Sequence, residues 1–517
     1  MSSDWQIKNF LEIKNNHLHI DGVDAVDLAR EHGTPLFVFS ERRIRHNIER
    51  LKTVQDVIDC PLKICYAAKA MSTMGILQVV RDAGIDIEVN SGGELWKALK
   101  AGFTGERIIF NGTSKEVWEI EDAINAGIYA IQVDSLYELS LIEKTAERLG
   151  KTANISLRLV PEIESHTHSG LQTALLTSKF GMMPDEAFEA FREYKDSPHL
   201  KLNGIHLHIG SQNPDPKVYA EALAKLFDAM LHIHNETGIQ LKHINLGGGF
   251  PVNYLRNDVT DINNEQSHLL AAEFEPVAAI QSAWKAVKET TDSTNATHLL
   301  DAVTLLLEPG RSIIGDAGIC LTTVRNHKQR PTGSPPYEGG VDAASGGRGG
   351  SFADDDNVRN NADNRTKNHP IPMKNIGTPL LRKEGSSGAD HWLLTDAGFN
   401  ILLSMETYKW YYHMIAAERS GDPHDFPYKL AGPLCDGGDV YFDIEGENRL
   451  PPYRLLPKDV SPGEVLALLN CGAYSLAQSS QYNGRFLPTV ILIKANGKAE
   501  LIRKRDDFEN LVTNDLF

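Results

Sequence analysis

Between residues 35 and 315, short apolar runs alternate with longer amphipathic stretches. The runs at 62–66, 108–110, 155–160, 204–209, 243–246 and 305–307 predict strands. Residues 41–57 and 216–237 repeat apolar positions at helical spacing and predict helices. Strand-then-helix order over this length predicts parallel βα units. A barrel of such units takes roughly 250 residues, and the segment is long enough for one. Periodicity alone fits an open sheet as well as a closed ring.

The pattern changes after residue 317. Runs at 319–324, 392–394, 430–434 and 489–495 predict strands with no regular helices between them, hence a second, β-rich domain. The first 35 residues are also strand-like, as at 18–20, and are expected to join it. Residues 330–390 break the pattern. They are rich in Gly, Ser, Asn, Asp and Pro and nearly empty of aromatics. Such a stretch buries too little apolar surface to offset its ordering entropy, so a disordered insertion within the β domain is expected. Long surface loops close at small entropic cost, which favours a tolerated insertion over a binding arm.

Composition narrows the class. The 517 residues carry 52 Lys+Arg and 69 Asp+Glu, and 52 − 69 = −17. This acidic balance argues against a general nucleic-acid or membrane-surface binder, which needs a basic footprint. Five cysteines, odd in number and widely spaced, form neither a disulfide framework nor a zinc spacing. Residues 1–16 are polar, and no apolar run nears the roughly 18–20 residues of a membrane span. A cytoplasmic protein is expected, with no nucleic-acid or membrane partner.

Several residues stand out chemically. Lys69 sits in ICYAAKAM, an apolar run at an expected strand end. A buried ammonium tends to lose its proton and become a nucleophile able to form a Schiff base; the alternative is a strand-end lysine reaching solvent. His206 and His208 alternate in NGIHLHIGSQ and should share one strand face. They fit hydrogen-bonded interior histidines or a ring packed on a planar cofactor better than a metal, for which no further ligands are identified. Gly247, Gly248 and Gly249 follow a strand and let backbone N–H groups approach a phosphate, or simply form a tight turn. Glu308 and Arg311 in LLLEPGRS offer a buried carboxylate and a planar fork for phosphate, or pair with each other. Cys435 and Asp436 in GPLCDGGD offer a thiol proton donor beside a carboxylate, or only a turn.

In this order, YAAKA, EVNSGGEL, IFNGTSKE, SLRLVPEIESHTHSG, TSKFGM, HLHIGSQ, INLGGGFP, LEPGR, TDAGFN, GPLCDGGD and GAYS…YNGR resemble the ornithine/diaminopimelate/arginine decarboxylase family. The resemblance runs from about residue 35 to 490. It implies an α/β fold: a (β/α)8 TIM-like barrel at 36–316 binding pyridoxal 5'-phosphate, and a β-rich domain from 1–35 and 317–517. It implies that Lys69 holds the cofactor and that Glu308 pairs with its pyridine nitrogen. His208 would stack on the ring. Gly247, Gly248, Gly249, Ser211, Arg311 and Tyr474 would surround the phosphate, with Glu88 and Arg158 supporting the lysine side. Cys435 would be catalytic and come from a partner subunit, making a homodimer with shared sites.

The resemblance also speaks to the reaction. A carboxylate at the ring nitrogen keeps the ring protonated and a stronger electron sink, which favours decarboxylation of an amino acid over racemisation. Diaminopimelate decarboxylases carry Arg-Pro where this chain has Ser404 and Met405, while Tyr408 keeps its place. Cys435-Asp436 is more like ornithine-type enzymes, in which the Asp holds a distal amine. The implied substrate is a diamino acid (diaminopimelate, lysine or ornithine, or a conjugated diamino acid) contacted by Arg311, Tyr408, Asp436 and Tyr474. The competing readings are a racemase of a basic amino acid and a non-catalytic regulatory homologue.

Overall fold

The computed structural model describes residues 5–160, 162–163, 178–254, 272, 274–294, 296–331, 389–444 and 449–516. Strands β1 (Leu11–Lys14), β2 (His17–Ile20) and β3 (Val23–Asp24) form a small antiparallel sheet. The helix Ala25–His32 follows, so the first 35 residues are not strand alone. Asp24 starts that helix by accepting the Val26 and Asp27 N–H groups. β4 (Leu36–Ser40) comes next.

Eight parallel strands then close into a barrel. They are β5 (Leu62–Ala67), β6 (Asp86–Val89), β7 (Ile108–Phe110), β8 (Ala130–Val133), β9 (Ala153–Arg158), β10 (Leu200–His206), β11 (His243–Asn245) and β12 (Thr304–Leu307). Pairing of β12 with β5, Leu305 opposite Leu62, closes the ring. Helices start soon after the strands end, several on serine caps: Ser91 and Ser135 accept the Glu94 and Glu138 N–H groups. Two strands absent from the named apolar runs, β6 (DIEV) and β8 (AIQV), carry a polar residue between apolar ones.

The β domain contains β13 (Gly318–Pro331), β14 (Ala389–Thr395), β15 (Met414–Ala416), β16 (Phe426–Ala431), β17 (Arg454–Leu456), β18 (Val465–Leu468), β19 (Thr489–Ile493) and β20 (Ala499–Arg503). β4, inside the segment expected to form the barrel, sits between β13 and β19 in this sheet. The reason is burial on both faces. Phe37 and Phe39 pack in the core shared with the barrel, whereas Leu36 and Val38 pack with Trp5, Phe10 and Leu18 in a second core. Residues 330–331 and 389–390 belong to β13 and β14. The rest of the expected insertion, 332–388, lies outside the described residues. Among the described residues no helix is long and apolar enough to cross a membrane.

Asp396, just after β14, ties that strand to β13 and to the segment before β4. Its Oδ1 accepts from Thr322 Oγ1 at 2.7 Å and Thr323 N at 3.0 Å; its Oδ2 accepts from Thr34 Oγ1 at 2.6 Å and from Arg325. Removing the carboxylate strands buried donors from two chain segments. Asp396→Ala should lower stability by about 2–4 kcal/mol, read as a lower urea unfolding midpoint.

Candidate active site

The polar groups converge at the carboxyl ends of the barrel strands, where a barrel of this kind places its chemistry. Lys69 lies in the turn Ala68–Ala70 directly after β5. Glu88 is on β6, Arg158 and His206 end β9 and β10, and Asn245 ends β11. Glu308 follows β12, and Arg311 opens the short helix Arg311–Ile314. Tyr474 arrives from the β domain, its N–H donating to Ala70 O at 2.9 Å. Lys69, His208, Ser211, Gly249, Glu308, Arg311 and Tyr474 line one recess.

Lys69 lies deep in the molecule, yet its side chain is exposed because it faces this recess. Burial works against its charge, but Glu88, Tyr474 and Glu308 outweigh burial and hold the ammonium above its ordinary range. This corrects the expectation that burial strips the proton: the lining carboxylates retain it in the free protein.

Glu308 is buried and held by neutral amides, not by Arg311. Asn245 Nδ2 donates to its Oε1 at 2.6 Å, and Asn111 Nδ2 reaches both oxygens at 3.1 and 3.0 Å. The same Asn111 nitrogen reaches Glu88 Oε1 at 2.8 Å. Burial, then the nearby Glu88 charge, pushes the Glu308 carboxyl above the usual carboxylate range, against the pull of Lys69 and the amides. His206 Nε2 lies 3.6 Å from Glu308 Oε2, and burial holds this histidine far below its usual value, so it is neutral. β10 stops at His206, so strand alternation does not carry His208; His208 is placed by the turn beyond.

The three glycines form a cradle that no side chain could enter. A Cβ on Gly247 would lie 2.7 Å from His208 Nδ1, on Gly248 2.2 Å from Glu308 O, and on Gly249 2.5 Å from Gly210 O. Gly248 N–H donates to His208 Nδ1 at 3.2 Å, fixing the imidazole at the recess wall. Arg311 is boxed by aromatic rings: its guanidinium carbon is 4.7 Å from the Tyr474 ring centre and 5.0 Å from that of Trp410. It donates to the Tyr254 hydroxyl and to Ser211 Oγ. Arg158 lies over the Phe180 ring at 4.3 Å. A glycine cradle beside a buried arginine suits a phosphate. A lysine across from a buried carboxylate suits an aldehyde and a basic ring nitrogen on one flat cofactor. The buried Glu88 Oε2, with no hydrogen-bond partner among the described residues, fits a further polar group there.

Cys435 is not in this recess. It is exposed, its N–H donating to Asn483 Oδ1 at 2.7 Å, with Asp436 beside it facing Tyr482. Asp439 anchors the loop: its oxygens accept the Leu434 and Phe399 N–H groups, both at 2.8 Å. Ser404 and Met405 are buried, and the Ser404 hydroxyl donates to Tyr474 O at 2.9 Å. Tyr408 packs beside Trp410, rings 6.4 Å apart. Of the motif stretches, most of PEIESHTHSG lies outside the described residues. Asn111, Asn245, Tyr254 and Asp439 were not singled out from the sequence. The two asparagines share a signal with Glu308: each is the first polar residue, or nearly so, at the end of an apolar barrel run.

A family model described as the pyridoxal binding domain of pyridoxal-dependent decarboxylases matches residues 43–315. Its companion, the C-terminal sheet domain, matches 373–472. Diaminopimelate decarboxylase of Bacillus subtilis is 30% identical over 508 residues, covering 97% of this chain and 96% of that one. The enzyme of that name from Aquifex aeolicus is 30% identical, covering 97% and 96%. The crystal structure of diaminopimelate decarboxylase from Methanocaldococcus jannaschii in co-complex with L-lysine superposes with a TM-score of 0.75 at 28% identity, covering 99% of each chain.

Asp439 generates a pH prediction. Burial raises its carboxyl to about 6, against the pull of the Leu434 and Phe399 N–H groups. The folded chain therefore binds this proton more tightly than the unfolded chain does. The associated stability is present below about pH 4 and lost as the pH rises through about 6. Relative to Asp439→Asn, which does not titrate, the wild type should lose about 2–3 kcal/mol between pH 4 and pH 7. Paired urea unfolding curves at the two pH values check this.

Proposed function

Because the chain belongs to the ornithine/diaminopimelate/arginine family of pyridoxal-dependent decarboxylases, we propose that it removes the α-carboxylate of diaminopimelate or a closely similar diamino acid. The observation that carries this reading is the meeting of Lys69, Glu308 and the glycine–Arg311 cradle around one recess. Bound pyridoxal phosphate supplies an electron sink for the pair left on Cα when CO2 departs. Lys69 would hold the cofactor through its side-chain amine. Glu308 would pair with its ring nitrogen and favour the protonated ring. The cradle, Ser211, Arg311 and Tyr474 would hold its phosphate, His208 would pack against its ring, and Glu88 and Arg158 would support the lysine side.

The proton that replaces CO2 needs a donor. Within its own chain Cys435 is exposed and outside the recess. The reading therefore includes a homodimer in which Cys435 of the partner subunit delivers that proton to Cα and Asp436 of the partner subunit meets the substrate's distal amine. Arg311 and Tyr474 meet a carboxylate from this side, with Tyr408 behind them. Five free cysteines suit the reducing cytoplasm, where the reading places the protein.

Purified protein supplied with pyridoxal phosphate should release CO2 from diaminopimelate with an equal amount of lysine, and Lys69→Ala should abolish both. Racemised substrate without CO2 would overturn the decarboxylase reading. Lysine and ornithine, supplied in parallel, test the distal group. Mixing inactive Lys69→Ala and Cys435→Ala chains should restore up to about a quarter of wild-type activity. Half the dimers are then mixed, and each has one complete site. No restoration on verified exchange would place the whole site within one chain.

A further inference from the structure

We propose that Asn245 is a positioning residue that links the glycine cradle to Glu308, so that seating a phosphate at one end sets the carboxylate at the other. Asn245 is fully buried at the end of β11. Its Nδ2 donates to Glu308 Oε1 at 2.6 Å, and its Oδ1 accepts the Gly247 N–H at 2.9 Å. The Glu308 N–H donates back to Gly247 O at 2.7 Å. One amide and one glycine thus close a loop of three hydrogen bonds between the two ends of the recess. Gly247 has no slack in this loop, since a Cβ there would meet His208. An amide is the side chain that suits the position, because it must accept on one side and donate on the other.

Asn111 gives the contrast. It donates to Glu308 and Glu88, and none of these hydrogen bonds reaches a glycine of the cradle. The charges that act on Glu308 are those of Lys69 after β5, Glu88 on β6 and Arg158 on β9; the neutral His206 at the end of β10 and the un-ionised, buried thiol of Cys65 on β5 are the other titratable groups near it. Neither asparagine adds charge to this set, so each acts through geometry and a donated hydrogen bond.

The inference rests on the reading that Glu308 serves the cofactor ring. Asn245→Asp keeps the acceptor for Gly247, removes the donor and adds a like charge; Asn245→Ala removes both bonds. Two readouts separate them: the cofactor dissociation constant from quenching of tryptophan fluorescence, and the pH dependence of the bound cofactor's absorbance and of kcat. Asn245→Asp should bind cofactor within about threefold of wild type while its acidic limb moves up by about one unit, a tenfold change at a fixed pH on that limb. Asn245→Ala should weaken cofactor binding about tenfold or more. Asn111→Ala should move the limb upward without changing cofactor affinity. If both Asn245 variants weaken cofactor binding equally and leave the limb in place, Asn245 only fills space and the proposal is overturned. Should Asn245→Asp not fold, the alanine pair decides, since only Asn245→Ala should weaken cofactor binding. Glu308→Gln is the control: an unchanged absorbance and pH limb there would refute the role of Glu308 itself, separately from the link.

Discussion

Where β12 pairs with β5, Leu305 stands opposite Leu62 and Leu307 opposite Ile64. This register carries two distant parts of the chain to neighbouring strand ends, so that Glu308 and Lys69 open onto one hollow. A barrel left open at this seam would keep every strand and helix and lose the site. The charges gathered there are costly in isolation. They are tolerable because Lys69 is set against Glu88 and Glu308, and because Asn111 and Asn245 donate hydrogen bonds to the carboxylates without adding charge.

The β domain supplies a wall of the recess. Tyr474, in the left-handed backbone region at φ 56°, donates its N–H to Ala70 O and presents its ring to Arg311. Ser404 holds the Tyr474 carbonyl from behind, and Trp410 stacks on Tyr254 at 5.2 Å. The aromatic residues near 410 thus pack the core and hold the arginine of the cradle as well. Ser404, which stands where diaminopimelate decarboxylases carry an arginine, is engaged in fixing a recess residue.

What could be read from the chain depends on how many constraints each residue answers to. Strands whose side chains are nearly all apolar, such as IIF at 108–110 and TLLL at 304–307, stand out; DIEV and AIQV do not, because their polar residues are buried within the barrel. β4 reads as a barrel strand because burial on two faces gives the same apolar run as a parallel strand does. Lys69, Glu308 and the glycines are legible because apolar text surrounds them. Asn111 and Asn245 are harder to see: an asparagine after a strand is also what a turn uses. The protonation of Lys69 is invisible in one dimension, since it depends on carboxylates carried by other strands.

The remaining tension is an exposed cysteine in a loop that is anything but loose. Asp439 sits where a Cβ on Gly432 or on Gly398 would lie within 2.3 and 2.7 Å of its carboxylate. The loop is thereby clamped against the segment that follows Asp396, and Asn483 fixes the Cys435 backbone. Ordering a loop this tightly costs conformational entropy and buries a carboxylate whose ionisation is disfavoured. Such a cost makes physical sense where a side chain must be aimed at a target. No wall of its own chain's recess includes Cys435. The loop thus holds an exposed thiol beside an acidic side chain, outside the recess of its own chain, and spends a buried carboxylate to do so.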